Sequence, residues 1–152
     1  MNRRMILGAI AAFSMSSGIV LAGDGLMSAP EAKQNMDAGR LILIDIRTPQ
    51  EWADTGVAEG AWPMDMRHRQ FGAKLMSVLE RYPDRDIAVI CRSGNRSGYI
   101  VDVLASNNIQ RVLDVTEGMA GGRNGKGWIP TGLPVVSAHE ALAAMPSEFR
   151  TD

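Results

Sequence analysis

Cysteine is almost absent from this chain, and its scarcity restricts the chemistry. Among 152 residues there is one, Cys91. A single thiol makes no intramolecular disulfide, which excludes a disulfide-stapled fold and a cysteine-built metal centre. Histidine is nearly as scarce, with His68 and His139 the two in the chain. Structural zinc takes four ligands at recognisable spacing. Neither histidine lies in such a motif, so both read as surface or boundary residues, and no metal site is expected. An excess of one charge sign is also lacking. Basic and acidic residues number 16 and 17, a net charge of −1. That leaves no electrostatic footprint for nucleic acid or for a general attraction to anionic membranes. Cys91 is therefore either an inert buried side chain or a free thiol with a task.

The length suits one domain with a proper core and is short for two. The first 22 residues read as a targeting segment rather than as fold. Arg3 and Arg4 precede an apolar run from Met5 to Phe13, and Val20-Leu21-Ala22 fits a small-x-small cleavage rule. Residues 1–22 are thus expected to be a signal peptide cleaved after Ala22, or else an uncleaved anchor. Serines and glycines within the stretch argue against a spanning helix. Cleavage would remove two basic residues and no acidic one, leaving a mature net charge of −3. The expected location is outside the cytoplasm, in a bacterial periplasm. There a lone cysteine has nothing within its own chain to pair with.

The mature chain alternates apolar runs with helical patterns. Ser28 opens a helix that reaches Asp37, with Glu31 placed for a capping box and Gly39 as its stop. Leu41–Asp45 is a continuous apolar run, hence a strand buried on both faces. Thr48 caps a short helix opened by Pro49 and closed before Gly56. Ala61–Met64 is a short extended piece, and Phe71–Tyr82 is an amphipathic helix. Asp86–Cys91 reads as a second buried strand, Ser97–Ala105 as a helix and Arg111–Val115 as a third strand. Gly118–Gly127 holds five glycines and reads as a long loop with little packing of its own. Val135 and Val136 are extended, Ser137 caps a last helix from Ala138 to Ala144, and residues 146–152 are expected to fray. Connections too long for hairpins imply a parallel α/β sheet of about five short strands with helices on both faces. Sites in such sheets lie at the carboxyl ends of the strands.

The order Ile87–Ile90, Cys91, then Arg92-Ser93-Gly94-Asn95-Arg96-Ser97 is a strand, a tight loop and a helix start. Backbone N–H groups converge at such a place and favour an anion. Two arginines, a serine and an asparagine are not the apolar surroundings of an inert thiol.

Three separated blocks resemble the single-domain rhodanese-like sulfurtransferases over about residues 28–136. Asp45-Ile-Arg47-Thr-Pro-Gln-Glu51-Trp52 is similar to the family's Asp-x-Arg…Glu-aromatic segment. Gly56-Val-Ala-Glu-Gly60-Ala61 is similar to its Gly-His-Ile-x-Gly-Ala segment. Cys91-Arg-Ser-Gly-Asn-Arg96-Ser97 is very close to its active-site loop, and Gly132-Leu133-Pro134-Val135 to its usual ending. The resemblance implies a rhodanese-like domain over 28–145 and no cofactor. It also implies that Cys91 takes a sulfane sulfur from a donor such as thiosulfate. The resulting persulfide is then emptied by a thiol or cyanide, or by a protein thiol. Arg92, Ser93, Gly94, Asn95, Arg96 and Ser97 are the anion-binding candidates. Arg92 is expected to face substrate, Arg96 to divide its role between loop rigidity and anion binding, and Asn95 and Ser97 to cap and brace. Asp45, Arg47 and Glu51 are expected to support, Arg47 by pairing with Glu51 and Asp45 by accepting bonds from the loop. Trp52, Trp62 and Trp128 are expected to pack.

Two departures stand out. Val57 replaces a histidine common in the family, and the glycine-rich loop is longer and carries Arg123 and Lys126. Two other readings stay open. Phosphatases and arsenate reductases of the same fold use five residues between cysteine and arginine, where this chain has four. A sulfur-carrying module for one protein partner would keep the same loop.

Overall fold

The computed structural model describes residues 25–151. The expected signal segment and its cleavage site lie outside them. Seven strands and five helices follow the order β1 (Leu26–Met27), α1 (Ala29–Asp37), β2 (Leu41–Asp45), α2 (Pro49–Thr55), β3 (Val57–Ala58), β4 (Trp62–Pro63), α3 (Phe71–Arg81), β5 (Asp86–Ile90), α4 (Asn95–Ser106), β6 (Val112–Val115), β7 (Val135–Val136) and α5 (Ala138–Ala144). The main sheet has five parallel strands in the order β1-β6-β5-β2-β4. A small antiparallel pair joins β3 to β7. This is the single α/β domain that the alternating pattern implied. Among the described residues no helix is long and apolar enough to cross a membrane.

Both faces of the sheet are covered, so its central strands are apolar throughout. Leu41 and Leu43 of β2, with Ala88 and Ile90 of β5, pack toward α1, α2 and α5. Ile42 and Ile44, with Ile87, Val89 and Cys91, pack toward α3 and α4. β5 is the middle strand, which carries Cys91 to the centre of the sheet's carboxyl edge.

Three helices start on capping boxes. Ser28, Thr48 and Ser137 each accept from a backbone N–H three residues on, and Glu31, Glu51 and Glu140 reach back to the cap N–H. Such caps are each worth about 1 kcal/mol. The helix after Cys91 differs. It begins at Asn95, two residues earlier than its sequence suggests, with Gly94 as a cap that has no side chain to offer.

Two stretches are more ordered than composition implies. The Gly118–Gly127 segment is anchored at both ends, with residues 122–126 exposed between them. Met119 and Trp128 are fully buried, and Met119 N–H and Trp128 N–H bond Cys91 O at 2.8 Å and Gly118 O at 2.9 Å. Its glycines mark close backbone approach, not looseness. Residues 146–152 were expected to fray, yet Ser147–Phe149 form a 3-10 turn and Phe149 is buried. The Phe149 ring stacks on Trp62 at 5.5 Å and lies 6.0 Å from Tyr82. One aromatic side chain is enough to dock an otherwise polar tail. Phe149→Ala should therefore cost about 3 kcal/mol in urea unfolding, within the usual range for a buried phenylalanine. A loss below about 0.5 kcal/mol would mean that the tail does not hold the core.

Candidate active site

The chain leaves β5 at Cys91 and turns back at once into α4. Gly94 makes this turn, with φ at +91°. A Cβ built there would stand 2.1 Å from the carbonyl oxygen of Thr116, so both its conformation and its surroundings require glycine. Gly118 is the reciprocal case: its Cβ would lie 2.5 Å from the carbonyl of Arg92. The two loops are thus pressed backbone to backbone. Met119 N–H donates to Cys91 O at 2.8 Å and Ala120 N–H to Arg92 O at 2.9 Å. These bonds engage the loop carbonyls on the outside of the turn. Gly94 N–H is left to point inward, donating to Cys91 Sγ at 3.1 Å.

The thiol is 1% exposed and rests among Ile87, Val89 and the α3–α4 layer. Ser97 Oγ lies 3.4 Å from Sγ and donates to Gly94 O at 3.2 Å. Ser97 therefore braces the loop from inside, as its position suggested. Asn95 makes no side-chain cap and is exposed. Ser93 is half-buried and Arg92 exposed. Arg92 borders a pocket of about 250 Å³ with Glu51, Asp54, Met119, Ala120 and Ile129. Its lining combines charged side chains with the apolar Met119, Ala120 and Ile129.

The two supporting ion pairs are arranged differently from the expectation. Arg47 does not pair with the Glu51 carboxylate. It takes Asp45 in a fork, with Nε to Oδ1 at 3.0 Å and Nη2 to Oδ2 at 2.7 Å. Its other donors reach Thr55 Oγ1 and Gly56 O. Asp45 accepts nothing from the active loop, because the backbone and side chain of its own second neighbour fill its oxygens. Burial pushes the Asp45 carboxyl up, and the Arg47 hydrogen bonds pull against it. This pair fastens α2 to the end of β2.

Glu51 instead meets Arg96, with Nη1 to Oε2 at 2.8 Å and Nη2 to Oε1 at 2.6 Å. The same carboxylate serves the Thr48 capping box, accepting Thr48 N–H at 3.1 Å. One glutamate thus ties the first turn of α2 to the first turn of α4. The Arg96 hydrogen bonds hold the Glu51 carboxyl down to about 2, and Cys91 and Asp45 add attraction on the guanidinium. Two further groups were not singled out from the sequence. Arg67, paired with Asp65 at 2.8 Å, feels the charges of Glu51 and Arg96. Asp114 of β6 sits under α4 beside Ser97. The signal for Asp114 was available: it is the one polar residue in the apolar run Val112–Val115. Among the described residues no group of three or more His, Cys, Asp or Glu side chains is placed to hold a metal ion.

A profile of the rhodanese-like domain matches residues 28–124, well over half of the chain. The chain belongs to the rhodanese-like domain family. A protein named sulfurtransferase from Allochromatium vinosum is 32% identical over 101 residues, covering 66% of this chain and 83% of that one. The crystal structure of a rhodanese-related protein from Thermoplasma volcanium matches with a TM-score of 0.53 at 30% identity, over 72% of this chain and 95% of that one. A protein of unknown function from Rhodopseudomonas palustris, described as a possible tyrosine phosphatase, shares the fold at a TM-score of 0.53 and 18% identity, over 73% and 83% of the two chains.

The Glu51–Arg96 pair carries a pH signature. A carboxyl held down in the folded state adds stability above its ordinary value, and that stability is lost as pH falls through the folded one. The difference in Tm between wild type and Glu51→Gln should be a few degrees at neutral pH and close between about 4.5 and about 2. A difference that does not vary with pH would show that the pair is not held in solution.

Proposed function

We propose that the protein is a sulfurtransferase that carries sulfane sulfur as a persulfide on Cys91. The observation that carries this reading is the contact between Cys91 Sγ and Gly94 N–H, inside a loop of four residues between Cys91 and Arg96. A loop of that size closes around one sulfur atom, whereas a tetrahedral oxyanion needs a wider cradle. The first turn of α4 and the Arg96 guanidinium add favourable potential for a sulfur anion.

In the first step the Cys91 thiolate attacks the outer sulfur of thiosulfate. A Cys91 S–S bond forms, the donor's S–S bond breaks, and sulfite leaves with its electron pair. In the second step an acceptor thiolate or cyanide attacks the outer persulfide sulfur and returns Cys91 as thiolate. Covalent catalysis of this kind divides one transfer into two easier ones. The inward Gly94 N–H helps stabilise negative charge on the sulfur as it develops. Arg92, exposed at the rim, supplies a permanently charged fork for the sulfonate end of the donor. Arg96 is committed to Glu51 and acts on the sulfur through charge and rigidity. No cofactor takes part. The relative named sulfurtransferase and the intact loop support this reading. We also propose export, on the strength of the N-terminal segment, which would expose the site to small sulfur compounds outside the cytoplasm.

Incubation with thiosulfate should add the mass of one sulfur atom to the protein. Cys91→Ser should show no adduct and no thiocyanate formation with cyanide, at an unchanged Tm. Adduct on the serine variant would sink the mechanism. Steady turnover identifies an enzyme, and a stable adduct without turnover identifies a carrier for one partner. Arg92→Ala should raise the KM for thiosulfate about tenfold, the loss of one charge-assisted contact, with little change in Tm. An unchanged KM would remove Arg92 from donor binding.

A further inference from the structure

Beyond Ala120 the chain forms a short finger beside the Cys91 loop. Gly122 and Gly125 bond each other through their backbones, N–H to O at 3.0 Å one way and 3.3 Å the other, so Arg123 and Asn124 make the turn between them. The base of the finger is pinched. A Cβ built on Gly121 would stand 2.2 Å from Lys126 O, and one on Gly127 would stand 2.2 Å from Gly121 N. Glu117 ties the finger to the domain, its carboxylate accepting Gly127 N–H at 2.9 Å and Ala29 N–H at 3.4 Å. Asn124 Nδ2 donates to Thr116 O at 3.4 Å. The finger also leans on the Cys91 loop. Ala120 N–H donates to Arg92 O at 2.9 Å, and a Cβ on Gly122 would lie 3.4 Å from Ser93 O. Its backbone is therefore fixed next to Arg92 and Ser93.

The finger carries Arg123 and Lys126 and no acidic residue. Both are exposed, as is Arg92 beside them. None of the three makes an ion pair among the described residues. The neighbouring carboxylates are engaged elsewhere. Glu51 is held by Arg96 and Glu117 by two backbone N–H groups, and Asp54, which borders the same pocket as Arg92, accepts the Gln50 amide at 2.7 Å. Three cations at the rim of the Cys91 loop thus meet solvent, on a chain whose net charge is −1. Nucleic acid and anionic membranes are held by broad basic surfaces, which so small a rim on a net-negative chain does not supply. A cluster of carboxylates on a protein surface matches its size and sign. The fixed backbone also lowers the ordering cost of such a contact.

We propose that Arg123 and Lys126, with Arg92, form a docking rim for the acidic surface of a protein whose cysteine accepts sulfur from Cys91. The inference rests on reading Cys91 as the sulfur carrier. The acceptor thiolate attacks the outer persulfide sulfur. A new S–S bond forms on the acceptor as the Cys91 S–S bond breaks, and Cys91 leaves with the electron pair as thiolate. The rim takes no part in that exchange. It speeds encounter and sets orientation, the usual effect of complementary charge at the edge of an interface.

Two peptides of about ten residues, each with one cysteine, flanked by glutamates in one and by lysines in the other, serve as probes. The full chain is loaded with thiosulfate, freed of excess donor and mixed with each peptide, and loss of the added sulfur is followed by mass. Each rate is compared with that of the double variant Arg123→Glu, Lys126→Glu, so that the peptides' own reactivities cancel. Wild type should be about tenfold faster than the variant toward the acidic peptide and slower toward the basic one, with both gaps closing near ~0.5 M salt. Transfer to neutral mercaptoethanol and the Tm should not change. The same peptides with serine in place of cysteine test the rim without sulfur chemistry: by fluorescence anisotropy, wild type should prefer the acidic one and the variant the basic one. A protein that takes up no sulfur yet binds in this order would refute sulfur transfer and leave the rim as a docking surface. Rates and binding that do not respond to the charge reversal would overturn the proposal. So would tighter binding of a short single-stranded oligonucleotide, or of vesicles of anionic lipid, than of the acidic peptide at about 0.15 M salt.

Discussion

The site depends on two backbones pressed together at Gly94 and Gly118. Neither position can hold a Cβ without striking a main-chain carbonyl of the opposite loop. The contact is what lets Met119 and Ala120 take the carbonyls of Cys91 and Arg92. With those oxygens engaged outside the turn, the Gly94 N–H is the group that the turn presents to the sulfur. The shape of the loop around Cys91 is thus imposed in part by a segment more than twenty residues downstream. It is not a property of the Cys91–Ser97 sequence alone.

Charge is divided between holding the scaffold and meeting the solvent. Arg47 and Asp45 neutralise one another in the core and fasten α2 to the sheet. Removing one partner of such a pair leaves an uncompensated buried charge, which makes it a fixed element of the fold. Glu51 and Arg96 form a half-buried clamp between two helix starts. Arg92 alone of the loop arginines is free to face outward into the neighbouring pocket. The same residue type thus serves three ends because burial and partners differ.

Much of this could be read from the sequence where the signal is local. The caps at Ser28, Thr48 and Ser137 stand as written, and the apolar runs of β5 and β2 are the middle strand and its neighbour. The spacing from Cys91 to Arg96 was legible; that Ser97 turns inward to Cys91 and Gly94, while Asn95 is exposed, was not. What was not legible depends on distant partners. β1 and β3 are two residues long and exist only through pairing across the chain. The choice of Glu51 between Arg47 and Arg96 is made by how α4 lies against α2, which no local pattern contains. The glycine-rich segment was read as loose because glycine is common in flexible loops. Here Gly118, Gly121 and Gly127 mark close approaches of backbone to backbone. Phe149 gave no periodic pattern to follow, being a single apolar residue in a polar tail.

The ends of the sheet constrain how another protein can approach. Both edge strands, β1 and β4, are two residues long, and β4 contains Pro63, which has no N–H to offer. A sheet closed off in this way offers little template for an added strand. Under the proposed function, a protein accepting sulfur from this domain would therefore be recognised by side chains around the carboxyl end of β5. Exchange could then remain a brief end-on encounter, in which the partner departs without unzipping a ladder of main-chain hydrogen bonds.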